Sequence, residues 1–152
     1  SPNALEEAHW QGAKGIRSGI QSHAAIHNAG VEAAQTARWS QAEQLFSAAI
    51  LRSPEEPLSW IARGISRSEQ AKDDIAAADF RYAASLYLKS GQTEVVEQLQ
   101  TAAEAVQKRR KKASQTVSGK GWGGQILNGM TSLAQTLAPL AMKALIPMGL
   151  GL

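Results

Sequence analysis

From residue 3 to about residue 110 the apolar side chains recur every three or four positions, separated by Gln, Glu and Arg. That spacing gives a helix one apolar stripe. Leu45, Phe46, Ala49 and Ile50 form such a stripe, and Ile75, Ala76, Phe80, Ala83 and Ala84 form another. No stretch alternates β-branched residues with polar ones, so the pattern predicts helices and no sheet. Boundary signals divide the helices. Ser40-Gln-Ala-Glu43 reads as a capping box, in which side-chain oxygens accept from free N–H groups of the first turn. Ser53-Pro54-Glu55-Glu56 reads as a second start with proline at the first helical position, where its missing N–H costs nothing. Asp73 or Asp74 caps a third helix, and Ser90-Gly91 followed by Thr93 reads as a stop and a new start. The expected fold class is all-α, built from short antiparallel helical hairpins.

Two windows offset by 34 residues share their small and aromatic positions: Gly30 with Gly64, Ala42 with Ala76, Phe46 with Phe80, and Ala49 with Ala83. On these residues the chain resembles the tetratricopeptide repeat family over about residues 23–90. Trp60 matches the early aromatic of that pattern and Pro54 the proline after the second helix. The pattern is degenerate. Ala29 and Arg63 stand where leucine is expected, Ala33 and Arg67 where tyrosine is, Ile26 at an aromatic position and Leu88 at a proline. The resemblance implies a solenoid of hairpins whose first helices line a concave groove. That groove would be formed by Ala24, His27, Val31 and Ala34, then Leu58, Ile61, Ile65 and Ser68. His27, Val31, Leu58, Ile61 and Ile65 are the expected partner contacts, in a mostly apolar surface suited to a helix or extended peptide. A lysine–asparagine clamp for a terminal carboxylate is represented only by Asn28.

Solenoid ends need covers. Residues 93–112, with Val95, Val96, Leu99, Ala102, Ala103 and Val106 on one side, suit a terminal capping helix, and residues 4–20 would cover the other end. Beyond them Ala113 to Gly121 is small and polar. The chain therefore divides into a helical domain over 1–112, a Gly/Ser/Lys linker over 113–124 and a hydrophobic tail over 125–152. In the tail Ile126, Met130, Leu133, Leu137, Leu140 and Ala144 recur in steps of four and three, opposite Gln125, Asn128, Ser132 and Gln135. This predicts an amphipathic helix, kinked at Pro139 and stopped before Pro147, that docks on a partner or a second copy, folds back over the chain's own groove, or lies in a membrane interface.

Charge separates the same two regions. Residues 1–107 hold nine Lys+Arg and all thirteen acids, a net −4, whereas residues 108–152 hold seven cations and no acid, a net +7. Five of those cations, Lys108, Arg109, Arg110, Lys111 and Lys112, form one basic patch. It would attract an anionic membrane surface or an acidic protein. Nucleic acid is a minor expectation, since Trp122 is the only aromatic near the cations.

Absent residue types close other routes. Without cysteine there is neither disulfide, nor thiolate metal site, nor thiol nucleophile. The start of the chain shows no secretory pattern. His23 and His27 share a helix face at i, i+4 spacing, but Ala24 stands where a zinc protease carries glutamate, and no third ligand is near. Ser118 to Gly124 is glycine-rich but lacks the Gly-Lys-Ser/Thr ending of a phosphate loop. Asp73, Asp74 and Asp79 read as helix-start charges. No cofactor, no metal and no catalytic set is expected. The function expected is a non-enzymatic adaptor, cytoplasmic or membrane-peripheral, that holds a protein client in its groove and is tethered, or self-associates, through its tail. The alternative is a membrane-active or structural assembly component whose basic linker and tail bind membrane.

Overall fold

The computed structural model describes residues 21–113 and 131–149. Six helices are present among them: α1 (His23–Gln35), α2 (Trp39–Arg52), α3 (Pro57–Glu69), α4 (Asp73–Lys89), α5 (Thr93–Ala113) and α6 (Thr131–Ala144). No strand occurs among the described residues. Each of α1 to α5 packs on the next in antiparallel fashion, and α6 returns to lie against α3 and α5. Residues 1–20, which include His9 and the expected N-terminal cover, and residues 114–130, which include Trp122, Ile126 and Met130, lie outside the described part.

The 34-residue offset reappears as one contact made twice. A Cβ on Gly30 would stand 2.5 Å from the Phe46 ring, and a Cβ on Gly64 would stand 2.6 Å from the Phe80 ring. Each phenylalanine is wholly buried and fills the space that its glycine leaves empty. The turns repeat as well. Ala37 and Ala71 both take a left-handed conformation, φ 58° and 60°. The next residue's N–H reaches back to the carbonyl five positions earlier, Arg38 to Ala33 and Lys72 to Arg67, both at 2.9 Å. Gly91, φ 75°, ends α4 the same way, with Gln92 N–H on the Tyr87 carbonyl at 3.2 Å. This is the Schellman ending, in which the left-handed residue is normally glycine.

Several expected starts are displaced. α2 begins at Trp39 with Arg38 at its cap, so Ser40 lies inside the helix, and Glu43 turns away to bond Arg67, Gln70 and Lys72. Residues 53–56 form a turn; α3 starts at Pro57, and its cap is Glu56, which accepts from Leu58 N–H at 3.3 Å. Neither Asp73 nor Asp74 is the cap of α4, whose cap is Lys72. Ile75, expected on a buried stripe, is 43% exposed, while Ala76, Phe80, Ala83 and Ala84 are buried. All six apolar residues named for α5 are buried.

Two ionic clusters join the helices. Arg63 meets Asp79 through two hydrogen bonds of 2.8 and 3.0 Å, and Arg67 bridges Asp79 and Glu43 at 2.9 Å each. Burial alone would raise the Glu43 carboxyl, yet Lys72, Arg67 and Gln70 hold it down at about 2. The other cluster takes Arg109 out of the expected basic patch: its guanidinium is buried, paired with Asp73 and donating to the Ser68 carbonyl at 2.7 Å. Lys108 is exposed, and the side chains of Arg110, Lys111 and Lys112 lie outside the described part.

Two substitutions test this reading of the repeat. Gly64→Ala forces the new methyl into the Phe80 ring and should cost about 1–3 kcal/mol, with Phe80→Leu in the same chain recovering part of it. Ala71→Gly relieves the left-handed alanine and should gain roughly 1 kcal/mol. Urea unfolding midpoints measure both.

Candidate functional site

The face made by α1, α3 and α5 carries the tail. Leu137, Leu140 and Ala144 of α6 are fully buried and share one core cluster with Val31, Ile61, Ile65, Leu99 and Val106. Gln135, Pro139 and Met142 are on the exposed side, so the three- and four-residue steps of the tail do separate an inner from an outer face. The helix runs on through Pro139 and ends at Ala144, before Pro147. Leu133 belongs to its first turn. Each leucine removed from water contributes about 2 kcal/mol before the cost of ordering the segment.

Of the expected groove residues, His27, Val31, Ile61 and Ile65 are wholly buried and Leu58 is half-buried. His27 and Asn28 reach the end of the tail directly. His27 Nε2 lies 2.9 Å from the carbonyl oxygen of Ala144, the last residue of α6. A carbonyl only accepts, so Nε2 carries the proton and Nδ1 of the neutral ring is an acceptor. Nδ1 is 2.9 Å from Ser59 Oγ, which therefore donates to it, and the same oxygen accepts from His23 Nε2 at 2.7 Å. The result is a one-directional relay: His23 N–H to Ser59, Ser59 O–H to His27, His27 N–H to the tail. Four residues further along the tail, Asn28 holds both main-chain groups of Met148, donating Nδ2 to its carbonyl at 2.8 Å and accepting its N–H on Oδ1 at 2.5 Å.

Packing fixes the rings. His27 lies against Phe46, with centroids 5.1 Å apart, and against His23 at 5.9 Å. Burial lowers the His27 imidazole from 6.5 to about 4; the Ala144 carbonyl opposes this, and His23 adds to it. His23 is also lowered by burial, against the pull of Glu56. The two histidines thus meet around a serine hydroxyl. Among the described residues no group of three or more His, Asp or Glu is placed to hold a metal ion. No described helix is long and apolar enough to cross a membrane.

Nothing in the local sequence singles out Ser59, and Asn28 stands there only as a fragment of a carboxylate clamp. A signal for both lies in the repeat itself. At the 34-residue offset His27 corresponds to Ile61, Asn28 to Ala62, and Ser59 to Ala25. Each polar group of the site stands where the other copy is apolar.

No protein-family model matches the chain, and neither a curated protein nor a solved structure matches it.

Acid should destabilise the fold through His27. The imidazole titrates at about 4 in the folded chain and at 6.5 when exposed, so between these values the unfolded state binds more protons. Its contribution to stability is fully present above pH 6.5 and is lost as pH falls toward 4, by up to about 3 kcal/mol over the whole interval. Urea unfolding midpoints against pH should follow this course, and His27→Gln should flatten it.

Proposed function

We propose that the chain is a non-enzymatic protein-interaction adaptor of tetratricopeptide type, and that the face of α1, α3 and α5 is its groove for a client helix. One observation carries this reading: the face already holds a helix, with two leucines and an alanine fully buried and two polar side chains engaging main-chain atoms. An apolar trough with a few convergent polar groups at one end is the usual form of a helix-binding site. The repeated glycine–phenylalanine contact and the repeated left-handed alanines support the family resemblance at the 34-residue spacing.

In this reading the tail is a ligand supplied in cis. It blocks the groove until a client with a better-fitting helix displaces it, and the displaced tail becomes available to tether a partner. A segment joined to its own site competes at an effective concentration of about 1 mM, so clients must bind tightly or arrive at high local concentration. The opposed reading is a membrane role for the tail. It loses support because Leu137, Leu140 and Ala144, the apolar residues a bilayer would take, are spent on the chain's own helices.

Ile61→Asp would be a poor probe, since Ile61 is wholly buried and an unpaired core carboxylate threatens the fold itself. Leu137→Ser with Leu140→Ser alters the tail alone. The double variant should keep the circular dichroism of α1 to α5 and bind a labelled peptide of residues 131–149 with one-to-one stoichiometry, at least about tenfold more tightly than the unaltered chain. Equal binding by the two chains, or a peptide that sediments with phosphatidylserine vesicles and ignores the double variant, would sink the proposal.

A further inference from the structure

We infer that the relay of His23, Ser59 and His27, together with Asn28, is a reader of helix ends: the partner it selects is an amphipathic helix that stops against His27 and continues as extended chain across Asn28. The inference rests on the groove proposed above and states what that groove selects.

A helix leaves its last carbonyls without intrahelical donors. In water this costs little; in a buried trough each such carbonyl needs a partner. His27 supplies one, to the terminal residue Ala144. The last backbone bond of the helical run is Leu145 N–H to Ala141, 2.8 Å. Pro147 then cannot donate, and it forces the residue before it toward extended backbone. The chain leaves the helix and reaches Asn28, whose amide engages Met148 as a neighbouring strand would, one bond to the N–H and one to the carbonyl. A helical residue at this point would have its N–H committed to its own helix. Asn28 therefore accepts only extended chain, and only a residue other than proline.

The donor is also preset. His23 supplies its N–H to Ser59 and Ser59 its hydroxyl proton to His27, so the proton of neutral His27 is held on the nitrogen that faces the incoming carbonyl. Among the described residues, the titratable group acting on His27 is His23, and the charged group acting on His23 is Glu56. Because these contacts go to main chain, sequence choice falls on the buried positions. The ligand pattern is Leu-x-x-Leu-x-x-x-Ala-x-x-Pro followed by a residue with a free N–H, as in Leu137 to Met148. The alanine must stay small: Ala144 is fully buried beside the wholly buried His27, and a longer side chain there would lift the carbonyl off the imidazole.

The test uses the full chain carrying Leu137→Ser and Leu140→Ser, with synthetic peptides of residues 131–149 followed by fluorescence anisotropy. Methylating the Met148 nitrogen replaces the hydrogen that Asn28 Oδ1 accepts with a methyl group, and should weaken binding about tenfold. Ala144→Leu in the peptide should weaken it at least as much. Adding Asn28→Ala to the protein should cost a similar factor on the parent peptide and make the methylated and parent peptides nearly equal, a coupling that a general loss of packing would not produce. If the parent peptide binds but the methylated and Ala144→Leu peptides bind as well as it does, the groove stands and the helix-end reading is overturned. If the parent peptide itself fails to bind, the groove proposal has failed and this inference fails with it.

Discussion

Two close approaches of helix to helix, each permitted by a glycine opposite a phenylalanine, set the geometry on which the rest depends. Gly30 and Gly64 have no room for a β-carbon, because the rings of Phe46 and Phe80 occupy it. The same contact at the same spacing fixes α1 on α2 and α3 on α4 alike. It brings α1 and α3 onto one side of the molecule, and α5 extends that side. A face of three helices results, with Val31, Ile61, Ile65, Leu99 and Val106 in its core. Had either hairpin opened wider, the leucines of α6 would have had no continuous surface to bury against.

Between the repeats the chemistry changes while the geometry is kept. Ala29, Ala33 and Leu45 of the first repeat become Arg63, Arg67 and Asp79 in the second, all at the 34-residue offset. Arg63, Arg67 and Asp79 thus form an ion-paired set where the first repeat is apolar. Glu43 and Lys72 extend this cluster to the neighbouring helix and turn. Buried ion pairs return little net stability relative to apolar packing, but they penalise any arrangement that leaves one member alone. Their place here, between α2, α3 and α4, makes them a device for holding the second hairpin in one register against the first. Arg109 does the same for α5, through Asp73 and the Ser68 carbonyl.

The tail contact combines two kinds of recognition with different demands. Leucine burial is undirected and would accept several registers along the trough. Hydrogen bonds from His27 and Asn28 are directed and close at one register only, where Ala144 and Met148 present their main-chain groups. The imidazole is the titratable member of this pair, so the element that fixes register is also the element that responds to proton concentration.

The sequence alone shows the class of fold, most of the helix faces and the repeat. Periodic apolar positions, Gly91 as a stop, and the matched pairs Gly30/Gly64 and Phe46/Phe80 are local or offset signals, readable because helical packing imposes fixed spacings. It misplaced the helix starts at Ser40, Ser53 and Asp73. Glu43 and Asp73 had stronger partners in Arg67 and Arg109, residues 24 and 36 positions away, and a cap signal read over four residues cannot weigh a guanidinium that arrives from another helix. The destination of the tail was also decided only in three dimensions. An apolar seam states that a helix must be covered and is silent on what covers it, whereas His27 to Ala144 and Asn28 to Met148 are contacts across 117 and 120 residues. Chain folding alone brings such groups together, and once together they define a site that no spacing along the sequence contains.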